Sequence, residues 1–405
     1  MDWLDGSMGR TRTDSAASTR RWVTHARHDG PGPHREVDRP SNDGARRRVG
    51  GRAVTASESS SDLVTLDGSS GEGGGQILRT ALTLSLLTGR PFWIARIRAN
   101  RSKPGLRPQH LKAVEAAASL CGAELLGASV GSRELTFRPS TFDPRDLSVD
   151  IGTAGSTALV LQALHLPLAL RAEGPVRLTF RGGTYNESAP SFPFLAETWR
   201  AHLRAIGLPI ALAMPSAGYY PEGGGQLEAW IEPGSPSPLI LEDRGELVRI
   251  RGRAEVTNLS PSIARRMAAH AVETLEARGY EAEVESVEVA GPGQGASIAL
   301  VAEFAQGPPA TFVGLGKRGK PAEDIANDAV GELLGHLEAR GGAVDRHSAD
   351  QLLLPLAFAE GRSIYTVAEV TRHLETNVET IGAFLDRPIR LEHFAKGPGG
   401  RVVIG

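Results

Sequence analysis

One order of strand and helix signals recurs three times between residue 63 and the C-terminus, and a recurring order restricts a fold more than any single motif does. Strand-like stretches at 63–67, 91–98, 124–130 and 133–138 alternate with helical spacing at 76–87 and 108–120. That is a βαβαββ unit. A second copy has strands at 148–151, 176–181, 209–214 and 226–231 and helices at 157–170 and 192–206. The third is split. Its opening strand is 239–242, and it resumes with helices at 349–358 and 373–384 and strands at 363–370, 389–394 and 401–404. Between the two parts lie strand signals at 247–256, 281–289, 297–304 and 311–314 and helix signals at 261–277 and 321–339.

Each unit has two helices that can cover one face of its sheet, and three such units packed through their helices bury one core. The fold expected is therefore α/β (α+β): three βαβαββ units forming a large domain, with a small α+β domain inserted at a loop of the third, where insertions are tolerated. The boundaries are 62–244 with 341–405 for the large domain and 245–340 for the insert. The sequence Glu-Gly-Gly-Gly-Gln occurs at 72–76 and again at 222–226. The two copies fall at different places in their units, so the echo is partly accidental.

Residues 1–61 lack this rhythm. The first 60 hold 11 of the chain's 45 basic residues and 8 of its 47 acidic ones, with Gly, Ser and Pro between them. Such a stretch cannot bury enough apolar surface to offset its ordering entropy, and a disordered extension is expected. Its acids argue against a transit peptide. An RNA-contacting tail through Arg46-Arg47-Arg48 is one reading, and an inert extension is the other. The whole chain has a formal charge of −2, so an anionic ligand must be held by a local patch. Cys121 is the only cysteine, which excludes an internal disulfide and a cysteine-rich metal site. No apolar run reaches the roughly 18 residues that span a bilayer, and no secretory signal opens the chain, so a soluble, cytoplasmic protein is expected.

Several strand-to-helix turns carry residues suited to phosphate. GEGGGQILR at 71–79 joins the first strand to the first helix. Its glycines allow close approach of backbone to a ligand, and the helix-start N–H groups can cradle an anion. Arg79 lies one turn in, and Glu72 can hold a Mg²⁺ ion that bridges phosphates. The loop is neither a Walker loop nor a dinucleotide fingerprint, and a plain tight turn is an equal reading. Arg96, Arg98, Arg101, Lys103 and Arg107 crowd the next strand end, which reads as a phosphate site or as a solvated loop. Gln162, a lone polar residue in the apolar helix TALVLQALHLPLAL, needs a hydrogen-bond partner in the backbone or in a nucleotide. The same holds for His165. The glycine-rich exit GGTYNESAP ends at Pro190, against which an adenine can stack.

His373 stands in the first turn of the helix that follows the strand 363–370. A neutral imidazole beside helix-start N–H groups can attack phosphorus, which makes it a candidate covalent nucleophile that takes AMP from ATP. A solvated surface histidine is the alternative. Asp350, before the helix 349–358, is either a capping acid or the group that orients His373. His347 is a second candidate nucleophile.

Taken in order, LDGSSGEGGGQILRTALTLSLLTG, IRANRSKPGLRPQHLKAVEAAASLCGA, GTAGSTALVLQ, GGTYNESAP, GYYPEGGG, ADQLLLPLA and HLETN resemble the RNA 3′-terminal phosphate cyclases, from about residue 63 to the C-terminus. The resemblance implies three βαβαββ units with an inserted α+β domain. It also implies ATP-dependent conversion of an RNA 3′-phosphate to a 2′,3′-cyclic phosphodiester, with Mg²⁺ or Mn²⁺. Carried over motif by motif, His373 becomes adenylylated and Glu72 is the metal-associated acid, with Gln76 beside it. Arg79, Arg98, Arg101 and Lys103 fall at phosphate and RNA contacts. Gln162, Pro190, His347, Asp350 and Gln351 fall at the nucleotide. Members of the family often carry Tyr where His347 stands, three residues before Asp350. Phe312 is the candidate aromatic against adenine.

Two other classes share parts of this pattern. A non-catalytic ribosome-maturation factor of the same family would lack the nucleophilic histidine, which is present here as His373. An enolpyruvyl transferase built from like repeats would bind phosphoenolpyruvate rather than ATP and form no adenylate.

Overall fold

The computed structural model describes residues 63–71, 74–339 and 341–405. The extension expected over 1–61 and the acid Glu72 lie outside the described residues.

The first unit runs β1 (Val64–Asp67), α1 (Gln76–Thr88), β2 (Phe92–Ala95), α2 (Pro108–Ser119), β3 (Glu124–Leu126) and β4 (Leu135–Arg138). The second runs β5 (Leu147–Asp150), α3 (Thr157–Arg171), β6 (Val176–Gly182), then one helical stretch made of α4 (Phe192–Phe194), a π turn (Leu195–Trp199) and α5 (Arg200–Ala205), and ends with β7 (Ile210–Ser216) and β8 (Gly225–Ile231). The third opens with β9 (Ile240–Leu241). There follow β10 (Leu247–Thr257), α6 (Pro261–Glu276), β11 (Ala282–Glu288), β12 (Gly295–Phe304), β13 (Ala310–Leu315) and α7 (Ala322–Glu338). The chain then continues with α8 (Leu353–Ala357), β14 (Ser363–Val367), α9 (Arg372–Phe384), β15 (Ile389–His393) and β16 (Gly400–Ile404).

The three units share one sheet plan. The first strand pairs parallel to the second, the second antiparallel to the fourth, and the fourth antiparallel to the third, giving the orders β1-β2-β4-β3, β5-β6-β8-β7 and β9-β14-β16-β15. Although residues 245–340 intervene, β9 still meets β14 through Ile240 and Leu241. The fold is thus mixed α/β, as the periodicity predicts.

Helices from all three units meet at the centre. In α1 eleven of 13 residues are buried, and in α3 twelve of 15. A helix apolar on every side is stable only when surrounded, and these two lie inside one apolar cluster that also takes Leu374 and Ile381 of α9. Each fully buried Leu or Ile there contributes about 1.5–3 kcal/mol. Cys121 is buried in the same cluster. Residues of β10, α6, β12, β13 and α7 form a separate apolar cluster. Among the described residues no helix is long and apolar enough to cross a membrane.

Two departures from the sequence pattern shape the site, one an element that ends early and the other an element that starts late. The second strand stops at Ala95 because Arg96 and Arg98 adopt positive φ (53° and 55°), which turns the chain out of the sheet. The helix expected over 349–358 is only Leu353–Ala357. Before it, Asp345 Oδ1 accepts the N–H groups of His347 and Ser348 at 2.9 Å, while the carbonyls of Ala349 and Asp350 accept from Tyr365 and Asn377. Side chains take the backbone groups that helix bonds would use, and the segment becomes a run of turns.

Candidate active site

The openings of α1 and α9 face each other. Thr371 caps α9, its hydroxyl accepting from Leu374 N, and His373 follows two residues later with its ring exposed. Gln76 is the first residue of α1 and is buried. His373 Nδ1 and Gln76 Oε1 are 2.8 Å apart, and the other end of that carboxamide, Nε2, donates to Asp350 Oδ2 at 2.6 Å. Asp350 is therefore not the N-cap of α8, a position held by Leu352. Gln76 bridges it and His373, with one end of the amide at each.

A cleft of about 600 Å³, part of it open to solvent, lies beside this contact. Gln76, Arg79, Gln162, Trp199, Asp350 and Gln351 are among its lining residues, with His165 deeper in. Gln162 Nε2 donates to Gln351 Oε1 at 2.5 Å, and Gln351 Nε2 donates to the His347 carbonyl at 2.8 Å. The wall is braced by Asn377, whose Oδ1 accepts from Thr80 Oγ1 at 2.7 Å and whose Nδ2 donates to the Asp350 carbonyl at 2.7 Å. Helices α1 and α9 and the 345–351 loop are thereby tied at one point.

The site's charges are set by burial. Burial pushes the Asp350 carboxyl up to about 7, with Arg79 pulling the other way. Burial brings Arg79 down to about 10, opposed by Asp350. His110 is pushed down to about 3, first by burial and then by the positive charges of Arg79, Arg98 and Arg107. Its Nδ1 accepts the Arg107 N–H at 3.1 Å, so the proton of this neutral ring is on Nε2, the nitrogen that faces Gly75. Arg79, His110 and Arg101 surround the turn at Gly74 and Gly75. Several donors and positive charges thus converge on backbone without a side chain, an arrangement suited to an anion.

The remaining residues singled out in the sequence lie as follows. Arg98 is committed to the backbone of its own loop, with Nη1 donating to the Lys103 carbonyl at 2.6 Å and to the Gly105 carbonyl at 3.2 Å. Lys103 is exposed in the same loop. Pro190 is half-buried between β6 and α4 and is not part of the cleft lining among the described residues. His347 is 3.5 Å from Glu332 of α7 and meets the Phe194 ring edge-on at 6.5 Å. Phe312 is corrected as an adenine-stacking candidate. It is 2% exposed and packs inside the second apolar cluster against His336, because β13 turns it toward α7. The aromatic side chain that does line the cleft is Trp199, placed there by the π turn and lying edge-on to His165 at 5.0 Å. Sequence reasoning passed over Trp199, His110 and the Thr80–Asn377 pair. His110 had a signal, being a histidine one turn into the helix that leaves the cation-rich loop.

A family model described as RNA 3′-terminal phosphate cyclase matches residues 70–391. The chain is similar to proteins named RNA 3′-terminal phosphate cyclase from several organisms. Over 325 residues it is 44% identical to that of Ralstonia nicotianae, covering 80% of this chain and 91% of the relative. Over 343 residues it is 42% identical to that of Caldivirga maquilingensis, covering 82% and 96%. Over 332 residues it is 42% identical to that of Pyrobaculum neutrophilum, covering 81% and 95%. Matches of this extent and coverage show that the chain belongs to the RNA 3′-terminal phosphate cyclase family.

Proposed function

We propose that the protein converts an RNA 3′-phosphate to a 2′,3′-cyclic phosphodiester at the expense of ATP, through an adenylate on His373. The observation that carries this reading is the contact of His373 with Gln76 at the edge of a cleft lined by Arg79, Gln162, Asp350 and Gln351. A nucleophilic ring, an anion-holding turn and a row of amides able to grip a nucleotide meet there.

In the first step His373 attacks the α-phosphorus of ATP. A nitrogen–phosphorus bond forms and pyrophosphate leaves. Arg79, the His110 Nε2–H and the N–H groups opening α1 stabilise the developing negative charge. The RNA 3′-phosphate oxygen then attacks the same phosphorus, releasing the imidazole and giving an RNA-(3′)pp(5′)A end. Finally the neighbouring 2′-OH attacks the terminal RNA phosphorus, the cyclic ester closes, and AMP leaves. This last attack is intramolecular, so orientation supplies most of the acceleration and few side chains are needed. The need for a 2′-OH accounts for an RNA product. Arg101 and Lys103 are the groups we assign to the RNA end, with Arg98 shaping their loop.

Among the described residues no three His, Cys, Asp or Glu side chains converge on one point. Glu72 is the residue that would hold a magnesium or manganese ion, with nucleotide phosphates as the ion's other ligands. When bound, it supplies neutralisation of phosphate charge. The division into a large domain and an insert over 245–340 belongs to the same proposal and is supported by the separate apolar cluster of those residues.

The test is a 3′-phosphorylated oligoribonucleotide incubated with ATP and divalent metal. Stoichiometric cyclic phosphate and AMP are expected. ATP-independent cyclisation, or none in well-folded protein, would contradict the proposal.

A further inference from the structure

Gln76 does more than place a ring. A carboxamide has one accepting and one donating end. Its donating end is engaged by Asp350, and an ionised carboxylate only accepts, so the amide cannot turn round while Asp350 is charged. The end that faces His373 Nδ1 is then the oxygen, which also only accepts. While Asp350 is ionised, His373 Nδ1 carries the proton of the neutral ring and the lone pair lies on Nε2; with that carboxyl raised to about 7, the lock loosens as pH falls below this value. Which nitrogen of a histidine is basic is set by the bond its other nitrogen makes.

We propose that Gln76, locked by Asp350, is a positioning residue that fixes the tautomer of His373 and so makes Nε2 the attacking nitrogen. The inference rests on the reading of His373 as the nucleophile. Both ends of the relay are held. Gln76 is 7% exposed at the first position of α1. Asp350 is tied through its carbonyl to Asn377, four residues beyond His373 on α9. During attack the Nε2–phosphorus bond forms, the bond to the pyrophosphate oxygen breaks, and the electron pair leaves with pyrophosphate. The ring becomes cationic while its proton stays on Nδ1. Gln76 Oε1 faces that developing charge, with the Asp350 carboxylate behind it.

The experiment uses the full chain and two variants. Gln76→Met removes the acceptor. Gln76→Glu combined with Asp350→Asn restores an acceptor for Nδ1–H without placing two carboxylates side by side. Single-turnover labelling with α-labelled ATP is followed across ATP concentrations. The ring nitrogens of His373 are read by ¹⁵N NMR, their signals identified by loss in His373→Ala. Gln76→Met is expected to lower the maximal labelling rate about 100-fold or more, to leave half-saturating ATP within about 3-fold, and to shift the ring toward a mixture of tautomers; the double variant should recover most of the rate. The proposal is overturned if Gln76→Met labels at the wild-type rate, if it acts only through half-saturating ATP, if the tautomer does not move, or if the double variant melts like wild type yet stays inactive. Labelling of His373→Ala would instead overturn the nucleophile reading, and the NMR result would still decide the tautomer.

Discussion

His110 lies so close to the backbone of Gly75 that a Cβ there would stand 2.8 Å from the ring's Cδ2 and 3.0 Å from Arg79 Nη1. Gly75 has φ −86° and ψ 0°, which any residue can adopt, so crowding alone requires glycine here. The ring is buried and held through Nδ1, and it cannot swing aside freely. Gly75→Ala is expected to destabilise the protein by about 1–3 kcal/mol and to weaken ATP-dependent labelling about 10-fold or more. Pairing it with His110→Ala should recover part of the lost melting temperature, so that the two changes cost less together than the sum of the singles. A double-mutant cycle of thermal unfolding reads this directly.

Asn377 joins Thr80 on α1 to the Asp350 carbonyl. Asn377→Ala leaves a buried hydroxyl and a carbonyl without a partner, a loss of about 1–3 kcal/mol. It also frees the loop that carries Asp350 and Gln351. Raised half-saturating ATP is expected together with a lower denaturation midpoint. Asn377→Asp keeps the acceptor for Thr80 but sets a buried carboxylate oxygen against the Asp350 carbonyl, so it should cost at least as much as Asn377→Ala. A variant with unchanged nucleotide affinity would remove Asn377 from the account.

Among the described residues, four buried histidines contribute to the acid response of stability. Burial pushes His165 and His110 to about 3 and His202 and His336 to about 4. Each is lowered from its unfolded value, so its contribution is fully present above about pH 6.5 and is lost as pH falls toward the folded value. Asp350 works in the opposite sense. Raised to about 7, it favours the folded state below its unfolded value near 4 and loses that advantage as pH rises through 7. His165→Leu removes one proton's worth of dependence, and its stability between pH 6 and 4 should fall less steeply than wild type by about 1.4 kcal/mol per pH unit. Urea melts at stepped pH values check the slope.

Arg98 separates loop shape from charge. Its Nη1 holds the carbonyls of Lys103 and Gly105, and its own φ of 55° lies in the left-handed region. Arg98→Lys keeps the charge and loses the planar fork. Weaker use of 3′-phosphorylated RNA, by about 10-fold, is expected, with little change in labelling by ATP alone. Equal loss in both assays would place Arg98 at the nucleotide instead.

The repeat made most of the fold legible. Strand and helix periodicities in the three units have few rivals once the order recurs, and even β9, a strand of two residues, was found because the unit demanded it. What stayed hidden is long-range. Gln76 is 297 residues from His373 and 274 from Asp350, and no local pattern reports that one amide joins them. The 349–358 stretch has helical periodicity, yet contacts from Tyr365, Asn377 and Asp345 turn its first half into turns. Phe312 looked available because an aromatic in a short strand can face either side. The cluster around α7 decides which.

Labelling of this chain by ATP carrying radioactive phosphorus at the α position tests the central claim most directly. Wild type is predicted to retain one acid-labile label per molecule, recovered on the peptide that contains His373, and His373→Ala to retain none. Label on another residue, or equal label in His373→Ala, would contradict the account.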